Sequence, residues 1–367
     1  MSYFFYETED DQDEEDEIVL VDQKFEEYPT KSRFKVQGLR SASPWSIGLP
    51  IDKLECSIQN AYLDIIKNSK HYVYIENQFF ISKAGKEIVN NKIIKGLGER
   101  VMHAIKKNEN YCIFIVLPLL PGFGGNITKK DGQVLRIQIE WHLNTIFKGS
   151  KSLIKRIESA QEKEGKPKDW NKYLKIFGLR NHTVMNGKPV SEIVYVHSKL
   201  IIADDNVALL GSANINDRSL MGNRDSELAV IIEDEEIEKG ILAGSAFNKS
   251  PTIKAFRMNC WKSLFGVDTE YEDPLDPKFL ADIQKQTDFN EQFYWKVFKF
   301  YPHNSLKTLD DIKNLDLTVD EEYYYENRSK VLGFAQNWPV YFLKDETSLL
   351  NKFLDIGTTL LPQIIFT

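Results

Sequence analysis

Residues 111–117 read Tyr-Cys-Ile-Phe-Ile-Val-Leu, an unbroken apolar run. A strand with one wet face alternates polar and apolar side chains, whereas a short uniform run fits a strand covered on both faces. Such a strand needs helical layers above and below it. The run ends in Pro118-Leu119-Leu120-Pro121-Gly122-Phe123-Gly124-Gly125, a strong loop signal. Helical periodicity is expected at 54–69, 84–107, 131–163, 235–250 and 252–265. Strands are expected at 72–76, 173–177, 193–203, 206–210 and 227–232. Strands and helices that alternate in this way predict an α/β layered domain.

Beyond residue 266 the texture changes to aspartate, proline and aromatics, as in Asp273-Pro274, Tyr323-Tyr324-Tyr325 and Trp338-Pro339. The expected organisation is therefore an acidic tail and run-in over 1–35, a main lobe over 36–265, and a C-terminal extension over 266–367 that packs on the lobe. Short helices are expected in that extension at 276–286 and 308–314.

The chain has 367 residues and a formal net charge of −7. Residues 7–17 hold nine carboxylates and no Lys or Arg; removing those charges leaves the rest of the chain at +2. A block of like charge repels itself, so the tail is expected to be disordered and solvated. An autoinhibitory contact with a basic site is the competing reading. Cys56, Cys112 and Cys260 are odd in number and far apart, with no C-x-x-C, so neither a disulfide framework nor a zinc site is expected. No cationic stretch opens the chain and no apolar run nears the roughly 20 residues that span a bilayer. A cytoplasmic protein, at most peripheral to membranes, is the expectation.

The chemistry concentrates in residues 193–230. Read as one strand, Tyr195-Val196-His197-Ser198-Lys199-Leu200 projects His197 and Lys199 from one face, about 7 Å apart. Burying an unpaired lysine is unfavourable, so an imidazole and an ammonium side by side point to a bound anion. The next strand ends at Gly211-Ser212-Ala213-Asn214, where two small polar side chains can hold phosphate oxygens. Glu227 or Asp225 could fix the tautomer of His197 through its second ring nitrogen, and Glu227 is favoured. Asp204, at the hairpin after the first strand, is expected to pin that turn rather than touch substrate.

Taken singly, each piece is more often structural. Jointly, His197-x-Lys199-x4-Asp204-x6-Gly211-Ser212-x-Asn214 resembles the His-Lys-Asp signature of the phospholipase D superfamily. Tyr74-Ile75-Glu76-Asn77-Gln78-Phe79-Phe80 and Leu117–Phe123 are similar to segments found between the two signatures of eukaryotic phospholipases D. Leu39-Arg40-Ser41 with Trp45-Ser46 resembles the run-in, and Pro339–Leu343 the C-terminal end. The likeness covers about residues 36–367 and is to the C-terminal half of such an enzyme.

That resemblance implies a phospholipase D-type lobe, a mixed β-sheet flanked by helices on both faces. It implies a phosphodiesterase that releases phosphatidic acid and choline from phosphatidylcholine through a phosphohistidine. No metal or other cofactor is expected, because Lys199 and Asn214 neutralise the phosphate. His197 takes the acid/base role, and Lys199, Asp204, Ser212, Asn214 and Glu227 complete the catalytic set of that signature. Glu76, Asn77 and Gln78 are candidate substrate-binding residues.

The family builds one site from two signatures, and only one is present: His71, His103, His142, His182 and His303 all lack a lysine two positions on. One histidine cannot serve both faces of an in-line displacement. Pairing with a second copy, complementation by a separate His-Lys-Asp half, and an inactive fragment or binding protein that keeps the fold are the competing expectations; the last two are favoured. A homodimeric nuclease-like phosphodiesterase is a further alternative, but a body at +2 argues against nucleic acid as a partner. Lys83, Lys86, Lys92, Lys95, Arg100, Lys106 and Lys107 are a candidate surface for a phospholipid membrane and its phosphoinositides; a solvated helix face is the bland reading.

Overall fold

The computed structural model describes residues 34–347 and Leu349, except 85–88 and 267–270. The acidic segment 7–17 and residues 351–367 of the extension lie outside the described residues.

The described residues build a ten-stranded mixed sheet. Its path joins β12 (Ala335–Asn337), β5 (Leu174–Met185), β4 (Cys112–Val116), β3 (Tyr72–Asn77), β7 (Lys199–Ala203), β8 (Val207–Gly211), β9 (Glu227–Asp234), β1 (Phe34–Ala42) and β2 (Glu55–Cys56), with β6 (Lys188–Ile193) paired to β5. The β3–β4 and β4–β5 pairs are parallel and the others antiparallel.

The strand period of two divides the central strands between two cores. Val73, Ile75, Ile113, Ile115 and Ile201 pack with apolar residues of helices Ser57–Asn68, Ile93–Lys107 and Leu153–Lys163. Tyr72, Tyr74, Phe114, Leu200 and Ile202 pack with Trp261 and Phe265 of helix Pro251–Phe265, and with Phe279 and Ile283 of helix Pro277–Phe298. Helices thus cover both faces, as the 111–117 run requires, and the α/β class holds. All of β4 is buried.

Several expected elements differ. The helix expected over 84–107 begins only at Ile93, because the backbone N–H groups of Asn90 and Asn91 donate to the Asp217 carboxylate and that of Lys92 to Gln59 Oε1. The helical stretch expected over 131–163 breaks at Gly149, whose position has no room for a Cβ: Asn144 O would lie 2.4 Å from it. Residues 235–250 are not a helix. They form the hairpin β10 (Glu238–Leu242) and β11 (Ser245–Lys249). Its two-residue turn, Ala243-Gly244, has both φ angles positive (55° and 74°), the signature of a hairpin turn whose twist matches its strands. The helix expected at 276–286 runs on to Phe298. The expected strand 193–203 is interrupted between β6 and β7, which bears directly on His197.

Candidate active site

Strand register assembles the site. Asn77 of β3 lies opposite Lys199 of β7, Leu200 opposite Leu210 of β8, Gly211 opposite Ala229 of β9, and Glu227 opposite Ser41 of β1. The adjoining ends of four strands therefore carry Gln78, Lys199, Ser212 and Glu227. Gly211 is required by close packing, since a Cβ there would lie 2.3 Å from Leu228 O.

Lys199 is the electrostatic centre. The residue is 7% exposed. Its Nζ donates to Gln78 Oε1 at 2.9 Å and to the His197 carbonyl at 2.6 Å, both neutral acceptors. Among the described residues no carboxylate lies within ion-pairing distance of it. Burial draws its pKa below the ordinary lysine value, while the charge of Glu227 opposes that shift. A largely buried ammonium without a contacting anion is a site prepared for one.

His197 is not on the strand, so the geometry expected for a shared strand face does not hold. β7 starts at Lys199, and residues 194–198 run as irregular backbone. Side-chain and main-chain bonds anchor the segment on either side: Val194 N–H donates to Leu179 O and Ser198 Oγ donates to Glu76 Oε2. The imidazole is exposed, 6.4 Å from the Tyr195 ring between centroids.

Glu227 does not hold His197, contrary to the sequence-based expectation. Its Oε2 accepts the Ser212 hydroxyl at 2.5 Å, because the β8–β9 pairing carries Ser212 onto Glu227 and Leu228. The Leu228 N–H completes the cluster by donating to Ser212 Oγ at 3.1 Å. Asp225 forms a two-pronged pair with Arg218, so it does not serve His197 either. Asn214 is partly buried, and its Oδ1 has no hydrogen-bond partner.

Asp204 stands at the far end of β7, five residues from Lys199, or about 17 Å along a strand. Its carboxylate accepts the backbone N–H groups of Lys70, His71 and Tyr72. It pins the turn to the start of β3 and does not reach the anion position.

The three candidate binding residues separate. Gln78 touches Lys199. Glu76 is engaged by Tyr74 OH and Ser198 Oγ. Asn77 is fully buried and satisfied by backbone: Oδ1 accepts the Phe79 and Ile215 N–H groups, and Nδ2 donates to Ala213 O at 3.5 Å. Asn77 therefore shapes the Gly211–Asn214 loop from below, its amide taken up by backbone groups. Sequence reasoning missed Tyr195, whose hydroxyl bonds Gln78; its place two residues before the histidine was the available signal.

Arg100 also departs from expectation. It is buried, paired with Glu109 and bonded to the Ser69 and Lys70 carbonyls, so it is not part of an exposed basic face. Lys86 lies outside the described residues.

A family profile described as Phospholipase D matches residues 21–312. Phospholipase D1 of Cricetulus griseus is 38% identical over 345 residues, which take in 91% of this chain and 32% of that protein. Phospholipase D1 of Homo sapiens is 36% identical over 351 residues, 92% of this chain and 32% of that one. Phospholipase D2 of Bos taurus is 36% identical over 320 residues, 85% and 33% respectively. The chain spans about a third of the length of these curated relatives. With its His197-x-Lys199 segment at the strand ends described above, the chain belongs to the phospholipase D family.

Proposed function

We propose that this chain supplies one half of a phospholipase D-type active site, which hydrolyses phosphatidylcholine to phosphatidic acid and choline. The observation that carries the reading is the buried Lys199 ammonium, held only by neutral oxygens, one of them the carbonyl of His197, whose imidazole is exposed. A phosphodiester oxygen on Lys199, shared with Asn214, brings phosphorus within the neighbourhood of His197.

The other half, a second His-Lys-Asp lobe, provides the nucleophilic histidine. Its nitrogen forms a bond to phosphorus as the bond from phosphorus to the choline oxygen breaks, and the His197 imidazolium gives that oxygen its proton. In the second step neutral His197 takes a proton from water. The water oxygen bonds phosphorus, the phosphorus–nitrogen bond breaks, and phosphatidic acid leaves. Two moderate barriers replace one large one. Ser212 and Glu227 shape the wall of the anion site, and no resident metal is needed for charge neutralisation.

The chain works at a membrane surface from the cytoplasm. Among the described residues no helix is long and apolar enough to cross a membrane. Lys83, Lys92, Lys95, Lys151 and Lys155 line a cleft of about 820 Å³, chemically suited to anionic head groups including phosphoinositides.

The test is choline release from phosphatidylcholine vesicles by the purified chain, alone and mixed with a separately produced His-Lys-Asp half, with His197→Ala beside it. Release that needs both halves and disappears in His197→Ala supports the proposal. Release by a dimer of the chain alone makes the partner a second copy. No release from any combination overturns it.

A further inference from the structure

Tyr195 has no part in the scheme above, yet it bridges the glycine-rich loop and the lysine. Its hydroxyl oxygen accepts two hydrogen bonds, from the Gly122 backbone N–H at 3.2 Å and from Gln78 Nε2 at 3.0 Å. The opposite atom of the same amide, Gln78 Oε1, accepts from Lys199 Nζ at 2.9 Å. The path from loop to ammonium is thus Gly122 N–H, Tyr195 oxygen, Gln78 amide, Lys199. Every link has ordinary hydrogen-bond length.

The direction of the donors matters. An amide bonded on both sides cannot rotate or swing away without breaking a bond, so the phenol tethers Gln78 from the side opposite Lys199. Were the amide turned over, its NH₂ group would confront the ammonium, donor against donor. The ammonium, which can only donate, therefore selects the amide oxygen, while the phenol holds the far end of the amide in place.

The loop is built around the phenol. A Cβ on residue 122 would lie 2.6 Å from Tyr195 Cζ and from its hydroxyl oxygen. Gly122 is therefore the space the phenol occupies, and it brings its N–H within reach. Tyr195 is also 38% exposed, and its hydroxyl hydrogen has no acceptor among the described residues. That hydrogen is free for an anionic oxygen arriving beside Lys199.

We infer that Tyr195 is a positioning residue for the phosphate site: through Gln78 it aims the Lys199 ammonium, and Gly122 is the space and donor that hold it there. This rests on the half-site reading for its kinetic consequence, but the hydrogen-bond path can be tested without turnover.

Two measurements separate those levels. The first uses the full chain alone and follows Lys199 ionisation by NMR of its ε-methylene group. Tyr195→Phe should shift the Lys199 titration measurably while leaving the titration of the remote, exposed Lys163 in place. An unchanged Lys199 titration overturns the inference whatever the fate of the enzyme reading.

The second uses the chain combined with its His-Lys-Asp half. Removing a positioning bond should lower kcat about tenfold in Tyr195→Phe, with KM changed less. Gly122→Ala should lower kcat similarly on the native background, yet have no further effect on a Tyr195→Ala background, where the clashing ring is gone. Equal, additive effects of Gly122→Ala in both backgrounds would mean the glycine acts independently of the phenol and would overturn the coupling. If the unaltered chain shows no turnover, the half-site proposal fails and the NMR arm alone decides on Tyr195.

Discussion

Ser212 Oγ donates to Glu227 Oε2 at 2.5 Å, across the junction of β8 and β9. A bond between a hydroxyl and a carboxylate is of the strong, charge-assisted kind. Glu227 thus spends its charge on the serine and, through space, on Lys199, whose ionised form it favours. Among the described residues no carboxylate pairs with His197.

Glu227→Gln should therefore weaken the anion site. Bonds to charged groups contribute about 1.5–3 kcal/mol, so kcat/KM of the assembled enzyme should drop roughly ten- to a hundredfold. An unchanged kcat/KM in Glu227→Gln would show that the carboxylate does not support the anion site.

Asn77 should behave as a structural residue whose effect is felt at the site. Its amide holds the N–H groups of Phe79 and Ile215 and the Ala213 carbonyl, all in buried surroundings. Asn77→Ala leaves these unmatched, at about 1–3 kcal/mol each for groups that water cannot reach. Urea unfolding should report a loss of that order, and activity should fall even at low temperature where the variant is folded, because Asn214 rides on the same loop.

The Asp205–Arg257 pair is predicted to dominate stability on the far side of the sheet. Both side chains are essentially inaccessible, and the guanidinium bonds both carboxylate oxygens at 2.8 and 2.9 Å. Tyr72 OH bonds the same carboxylate at 2.7 Å. Removing one partner leaves an uncompensated buried charge, so Arg257→Met should destabilise by about 3–5 kcal/mol. Arg257→Met combined with Asp205→Asn should recover a measurable part of that loss in chemical denaturation.

Acid sensitivity should come partly from His142. The imidazole is buried, Nε2 accepts the Phe80 N–H at 3.1 Å and Nδ1 faces Gln138 O at 2.8 Å. This arrangement fits only the neutral ring, and burial pulls its pKa down from 6.5 to about 4. A depressed pKa of this kind gives stability that is fully present above 6.5 and is lost as the pH falls through about 4. The amount is of order 3 kcal/mol. His303 carries a shift of the same sign, also to about 4. The denaturation midpoint should therefore decline between pH 6.5 and 4, and His142→Gln should flatten that slope. A slope identical to that of the unaltered protein would remove His142 from the account.

The sequence disclosed the central strands because their environment is uniform: an apolar run such as 111–117 allows few alternatives. Local pattern failed where tertiary bonds decide. Residues 235–250 have apolar residues at helical spacing, Ile237 and Ile241 among them, yet Gly240 and the Ala243-Gly244 turn make a hairpin. At the site, Lys199 and Ser212 were legible from their strand ends. The irregular backbone around His197 was not, since it depends on Ser198 reaching Glu76. Glu227 was recognised as important but given the wrong partner, because choosing between Ser212 and His197 needs the β8–β9 register, which no local window contains. Tyr195 went unassigned for the same reason: its partners, Gln78 and Gly122, come from two other segments.

The sheet order also governs when the site can exist during synthesis. β1 is made early, but its long partner β9 comes from past the middle of the chain, and β7 and β8 must be inserted between β9 and β3. A ribosome that has delivered β1 through β5 has produced parallel strands with one edge still open where β7 belongs. The edge of β3 stays open until β7 emerges, and that of β1, covered only by the short β2, until β9 does; each is until then a template for other chains. The late His197–Glu227 stretch therefore does more than bring chemistry to the fold. It is the piece whose arrival closes the sheet, so slow translation through residues 193–234 should be the period of greatest demand on chaperones.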